Sequence, residues 1–365
     1  MAVDAARGVA LVAVMAVHVL PSTSPDGTAV LGEALARGRA SAAFAVLAGV
    51  ALSLSHGGSS PLRGRAWGAA SAGLAVRCAV IGALGLLLGG LGSGVAVILT
   101  YYAVLFALAA PLLAVRAAVL ARIAVGCGLL APVLSQLLRP GLPLKNGPSP
   151  NWTDLDDPVT LLTELTVTGY YPVLVWTTYL CAGLAVGRLQ LSSRRVAAGV
   201  LATGAVLAVG SVAASRWLVA RGVDAGGLPA DAEIAAFSGT VPADSWWWLV
   251  VDSPHSGTPL DLAHTTGTAL ALLGVLLVLG QLSRRLLAPL AWVGSMTLTL
   301  YSAHVVALAN GYGPDDPEQI YGLHVAAAFV LAAAWRSEHE RGPLEHAVSQ
   351  ASRGTARVVA RGGVG

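Results

Sequence analysis

Residues 4–21 read Asp4-Ala-Ala-Arg7-Gly-Val-Ala-Leu-Val-Ala-Val-Met-Ala-Val-His18-Val-Leu-Pro21, and this stretch decides the fold. Beyond Arg7 it is a run of small and branched apolar residues interrupted only by His18. In hydrocarbon such a run is stable as a helix, which satisfies its own backbone polar groups. A helix advances about 100° and 1.5 Å per residue. The eleven steps from Arg7 to His18 therefore bring the two side chains within about 20° of each other, roughly 16 Å apart along the axis. One stripe of the helix carries a cation near one end and a titratable base near the other. Ionisable groups are costly in lipid and face a protein interior or a water-filled cavity.

The same apolar pattern recurs along the chain. It has 365 residues, 55% hydrophobic and only 11% charged, where a soluble domain carries about one quarter charged residues. Apolar runs at about 5–21, 40–56, 69–90, 94–114, 117–138, 171–188, 195–216, 263–283, 288–309 and 319–336 predict an all-α, polytopic integral membrane helix bundle. That is about ten transmembrane helices, in a domain over 1–340, followed by a basic tail over 341–365. The tail reads equally as an interfacial helix on an anionic leaflet or as a frayed segment. The first run is expected to be a retained helix, because no cleavage site follows it. The formal charge of +3 calls for no nucleic-acid partner, since the arginines cluster at helix ends and Lys145 is the sole lysine. Cys78, Cys127 and Cys181 lie inside apolar runs and read as packing residues. No Cys/His spacing suggests a metal.

Basic residues alternate with acidic loops. Arg63 and Arg65, Arg116, Arg188 with Arg194 and Arg195, Arg284 with Arg285, and the tail arginines occupy every second connection. The positive-inside rule places these in the cytoplasm, with both termini. The connections 139–170, 217–262 and 310–318 carry the acidic residues and are expected outside. The first two are long, and long loops on a helical scaffold often bind ligands. Asn151-Trp-Thr153 matches a glycosylation acceptor.

Several further residues stand out. Arg77 falls deep in the third run, where a charge needs a partner or water. Arg37 and Arg39 precede the second run and can meet either a ligand or an acidic loop near the outer face. Gly294, Thr297, Tyr301 and His304 are spaced three, four and three apart, along one helix face, with His304 at a depth similar to His18. A structural polar seam is the plain alternative. Ser253-Pro-His255-Ser-Gly-Thr258-Pro reads as an outer lid or as a turn. Trp246, Trp247 and Trp248 suit a membrane interface or stacking on a sugar.

Arg-x10-His in a first membrane helix resembles the acyltransferase-3-type transmembrane acyltransferases. Val3-Asp4-Ala-Ala-Arg7-Gly-Val-Ala-Leu, followed by Arg39-Ala-Ser-Ala-Ala-Phe44-Ala-Val-Leu47-Ala-Gly49-Val, is similar to the bacterial relatives of heparan-α-glucosaminide N-acetyltransferase (DUF1624-like). Gly294-Ser-Met-Thr-Leu-Thr-Leu-Tyr301-Ser-Ala-His304 resembles the C-terminal motif of the related DUF418 proteins. The resemblance runs from about Val3 to Leu344. It implies a multi-pass enzyme of the cell's inner (plasma) membrane that moves an acetyl or short acyl group. The donor is then acetyl-CoA or another acyl-CoA from the cytoplasm, with no tightly bound cofactor. The acceptor is a sugar, glycan or glycolipid at the outer face, and a homodimer is compatible with it.

On that reading His18, His304 and Tyr301 are the catalytic candidates. Arg7, Arg63, Arg65 and Arg77 would hold the donor; Arg37, Arg39 and His255 would hold the acceptor. His18 would be the general base, about three turns deeper than Arg7. Arg7 can also pair with Asp4. The lysosomal members are thought to use a histidine in the loop after the first span, but residues 21–39 contain none. Direct transfer in a ternary complex is therefore expected over an acyl-histidine intermediate. A transporter or channel for a small anion or metabolite, and a non-catalytic membrane scaffold, remain the rival readings. Paired Gly/Pro-broken helices in an inverted repeat would favour transport, and the sequence does not display them.

Overall fold

The computed structural model describes residues 1–23, 28, 30–143, 147 and 149–361. Lys145 lies outside the described residues. Among the described residues fourteen α-helices follow one another: α1 (Ala2–Val19), α2 (Leu31–Ala36), α3 (Arg39–Ser55), α4 (Gly64–Gly89), α5 (Leu99–Leu112), α6 (Ala117–Leu138), α7 (Pro158–Thr163), α8 (Val173–Gly187), α9 (Arg194–Asp224), α10 (Pro259–Leu282), α11 (Arg284–Gly294), α12 (Thr297–Ala309), α13 (Pro317–Arg336) and α14 (Pro343–Arg361). Among the described residues no element is a β-strand.

The chain is all-helical, as its apolar runs predict. By length and composition, six helical segments can each cross a bilayer: α1, α2 with α3, α4, α6 through Gly141, α9 and α10. The α11–α12 pair makes a seventh crossing if counted as one bent span. α5 and α8 are apolar but shorter. Each of the ten expected runs falls on a helix, while the length-and-composition count reaches six or seven.

Three features go beyond the sequence reading or decide what it left open. α9 continues to Asp224, eight residues past the expected end, with Arg221 stacked over Trp217 at 4.2 Å. The run 288–309 is not one straight helix. It bends by 55° at Ser295–Met296, so Gly294 ends α11 while Thr297, Tyr301 and His304 stay on α12. The tail forms a helix over Pro343–Arg361 that lies on α4, with Ser352 Oγ donating to the Gly73 carbonyl at 2.6 Å.

Small residues set the helix spacing. A Cβ on Gly183 of α8 would collide with the Val46 carbonyl of α3, and one on Gly294 would collide with the Asp4 carbonyl of α1. Helices in lipid gain most from such close backbone approach. Gly183→Leu is accordingly expected to eliminate monodisperse protein, read as loss of the main size-exclusion peak in detergent. A peak of wild-type height would show that α3 and α8 can separate without cost.

Among the described residues, the acidic connections hold local structure. Asn151 caps a short 3-10 turn over Trp152–Asp156, accepting from Thr153 N at 2.9 Å and Thr153 Oγ1 at 2.6 Å. The expected glycosylation acceptor thus spends its side-chain oxygen on a capping box. The loop after α9 encloses its own small core of Val219, Leu228, Ala232, Val241, Trp248 and Val251. Arg139 and Gln136 at the end of α6 tie it down through the Val241, Pro242 and Ser245 carbonyls. Of the three tryptophans, Trp248 is buried in this core and Trp246 is exposed.

Candidate active site

α1 and α12 run side by side and are joined by two polar rungs. Arg7 Nη2 donates to Thr297 Oγ1 at 2.6 Å. His18 Nδ1 lies 3.2 Å from His304 Nε2, with the two rings stacked at 5.3 Å. The expected Arg7–Asp4 pair does not form; Asp4 meets the N-terminal amine at 3.1 Å instead. Arg7 is thereby left to face α12. The stripe read from the first run and the seam read from the ninth are two sides of one contact.

The second rung extends to a third histidine. His304 Nδ1 stands 2.7 Å from Nδ1 of His324 on α13. Both His304 and His324 are buried. Tyr301 presents its ring edge to His18 at 6.2 Å. The sequence reading missed His324, although an intramembrane histidine carries the same warning that singled out His18.

This geometry fixes how protons can be arranged. A neutral imidazole donates from one nitrogen and accepts at the other. If His18 donates from Nδ1 to His304, and His304 donates from Nδ1 to His324, then Nε2 of His18 is left with a free lone pair. The reverse direction places a proton on that nitrogen and removes the base. The three rings therefore have two coupled tautomeric states, of which one exposes a base.

The basic candidates separate into groups. Arg77 sits over the Phe106 ring at 5.5 Å, and its Nε is sealed from solvent without a hydrogen-bond partner. Arg7, Arg341 and Glu345 lie within electrostatic range of it. Arg63 and Arg65 are exposed at the start of α4. They stand roughly 18–21 Å from Arg77 along the helix, so they do not join it directly.

Near the start of α3 a second polar cluster forms. Arg37 pairs with buried Glu33 and donates to Ser22. Arg39 Nε donates to His264 Nε2 at 3.4 Å, and His264 Nδ1 lies 3.3 Å from Asp252. Arg39 thus reaches the acidic loop only through His264 of α10. His264 on α10 was also missed, as the eighth run was read only for its apolar character, and Asp261 was counted only among the acids of the connection 217–262.

A small pocket opens beside this cluster. Tyr170, Trp176, Tyr179, His255 and Asp261 line it, with Gly38, Gly239 and Gly257. His255 holds φ of 60°, the left-handed region that side chains rarely adopt. Strain of this kind concentrates at functional sites. Burial, aided by the Arg37 cation, lowers His255 from the usual 6.5 to about 4, so it is neutral at pH 7. Asp261 is buried with Oδ1 unpartnered, while its Oδ2 accepts from Gly257 N at 2.9 Å. Tyr171 packs against His255 at 5.8 Å and lies in electrostatic range of Tyr301.

A multi-pass helical bundle with buried bases aligned across its interior is the frame of a membrane-embedded enzyme. The family model for heparan-alpha-glucosaminide N-acetyltransferase, catalytic, matches residues 1–219 of the 365. The chain belongs to this family, and it is a membrane acetyltransferase. Comparison with curated proteins and with solved structures gives no match. The matched region holds Arg7, His18, Arg37, Arg39 and Arg77. Thr297, Tyr301, His304, His324 and His255 come from the remainder.

Proposed function

We propose that the chain transfers an acetyl or short acyl group from cytoplasmic acyl-CoA to a sugar, glycan or glycolipid hydroxyl or amine at the outer face. The observation that carries this reading is the pair of rungs on α1, a cation at one level and a base at the other. Arg7 and Arg77 hold donor phosphate near the cytoplasmic end of α1. The pantetheine arm runs along the α1–α12 seam towards His18.

His18 Nε2 removes the proton as the acceptor oxygen or nitrogen attacks the thioester carbonyl carbon. The tetrahedral oxyanion then collapses, the C–S bond breaks, and the proton passes from His18 to the leaving CoA sulfur. Tyr301, edge-on to His18, supplies a hydroxyl donor towards the oxyanion. His304 and His324 hold His18 in the tautomer that leaves Nε2 free. The aromatic pocket around His255 and Asp261 receives the acceptor, whose sugar faces suit stacking on Tyr and Trp. Transfer is direct, since residues 21–39 offer no histidine to carry the acyl group.

The decisive assay adds labelled acetyl-CoA to purified protein in detergent with a membrane glycan extract. Label must move to the glycan fraction, and transport without transfer would favour the rival reading. That rival draws on the bent α11–α12 span, since broken helices line transporter sites. They come there in corresponding pairs, whereas among the described residues one bent pair is apolar and long enough to span.

Topology has its own test. In a cysteine-free background, Ser238→Cys in the loop after α9 should react with an impermeant thiol reagent in intact cells. Ser192→Cys, between α8 and α9, should not. Equal labelling would reject cytoplasmic termini with an outer acceptor pocket.

A further inference from the structure

The connection between α6 and α8 is acidic by composition, yet it presents an apolar stripe. Trp152, Leu155, Val159 and Leu162 are all exposed, although each is large and apolar. Their spacings are three, four and three. Trp152–Asp156 is a 3-10 turn, in which residues three apart lie one above the other. Val159 and Leu162 follow on α7, where residues three apart are also neighbours. Leu161 and Leu165 turn the other way and are buried in the core.

The acids of this segment keep clear of the stripe. Asp154 accepts from Asn151 N at 2.7 Å. Asp157 caps α7 through Thr160 N at 3.1 Å and Thr160 Oγ1 at 2.6 Å. Asp156 is exposed and shares a face of the 3-10 turn with Thr153, not with Trp152 and Leu155. The segment is therefore amphipathic about its own axis. One side rests on the core, one is acidic, and one is apolar and exposed. A contiguous exposed apolar patch marks a surface that meets a protein or a membrane.

The position of the stripe decides between the two. α4 is long and apolar enough to cross a bilayer, and Leu87 and Leu91 at its end are exposed. The segment is fastened to that end. A Cβ on Gly89 would strike the Pro150 carbonyl at 2.1 Å, and one on Gly90 would stand 3.1 Å from the Trp152 ring. The stripe thus continues the lipid-facing surface of α4 where the span finishes. Tryptophan is enriched at that depth, with its ring at the level of the headgroups.

We propose that Trp152–Thr163 is an interfacial elbow that docks on the lipid surface. Trp152, Leu155, Val159 and Leu162 lie among the acyl chains, and Asp156 faces water, as in other amphipathic segments that rest in the membrane plane. Its acids would be repelled by an anionic cytoplasmic leaflet, so the elbow suits the outer one. The choice of leaflet rests on the proposed topology; the contact with lipid does not. The elbow continues through a π-helical turn, Glu164–Thr168, to Tyr170, which lines the pocket beside His255. The leaflet surface and the pocket wall are then two ends of one short stretch of chain.

The test uses the full chain, made cysteine-free, in nanodiscs of phosphatidylcholine. Spin labels are attached singly to Leu155→Cys, Leu162→Cys and Asp156→Cys. Collisions with oxygen, which concentrates in lipid, are compared with collisions with a water-soluble nickel complex. The oxygen-to-nickel ratio should be several-fold higher at 155 and 162 than at 156. An equal ratio at all three puts the stripe in water and overturns the proposal. Labels at 155 and 162 shielded from both reagents place a second copy of the chain there, which overturns it too. Trp152→Phe, in a background with its native cysteines, gives an independent answer if a labelled variant fails to fold. The emission that this change removes should be quenched in nanodiscs of chain-brominated lipid. An unquenched difference between wild type and Trp152→Phe overturns the proposal.

Discussion

His18→Ala lowers single-turnover acyl transfer by about 100- to 10,000-fold, the usual cost of losing a general base. His18→Gln does the same, because an amide restores the hydrogen bond to His304 but cannot take a proton. Coenzyme A affinity should change little in either, since the donor phosphate contacts lie about eleven residues away at Arg7. His304→Ala and His324→Ala should each cost less. They leave the base in place and remove only its tautomeric bias, so their loss should appear in the maximal rate and shift with pH. The measurement is transfer by each purified variant beside its size-exclusion profile. Monodisperse His18→Ala within about threefold of wild type is far outside the expectation for a base. It would make the rung a packing contact and move the catalytic assignment to His304 or His255.

Arg188→Met should be the most damaging change outside the site. Arg188 is buried at the end of α8. Its Nη1 donates to the Gly58 and Ser60 carbonyls at 2.8 and 3.0 Å, and its Nη2 to the Leu113 carbonyl at 2.6 Å. One guanidinium thus closes the loop between α3 and α4 against the end of α5. Met keeps the volume and removes every donor, leaving carbonyls buried and unpaired. Breaking a buried charged network from one side costs about 3–5 kcal/mol, a large share of the total stability of most proteins. The expected result is loss of folded protein in detergent. Arg188→Lys should recover part of it, because an ammonium reaches fewer of these carbonyls. A fully stable Met variant would show that water enters the loop and serves the carbonyls instead. The sequence reading took Arg188 as a positive-inside marker and as the end of a family-like segment, and foresaw none of these bonds.

That contrast shows where sequence reading ended. The Arg7–His18 stripe was legible because both its ends lie on one helix, whose geometry is fixed. The seam of Thr297, Tyr301 and His304 was legible for the same reason. The match between them was not, since nothing in either run states that α1 and α12 are neighbours. The bend at Ser295–Met296 was also hidden. Gly294-Ser-Met is unremarkable inside an apolar run, and what holds the break is tertiary: Gly294 against the Asp4 backbone and Glu345 from the tail. Arg77 was read as a charge in need of a partner or water, and the aromatic face of Phe106 could not be foreseen. The pocket around His255 draws on α8, α10 and three connecting segments, so no single segment announces it. His324 is the exception, present in the tenth run and passed over.

Arg7 and His18 share one unbroken helix, and this makes α1 a ruler. The distance between anchor and base is set by the number of covalent links between them, roughly 16 Å for eleven residues. Side-chain repacking, lipid thickness and the posture of the tail can all change without altering that spacing. A donor is then measured as well as bound. One whose arm is too short to join the two marks can satisfy the cation or the imidazole, but not both at once.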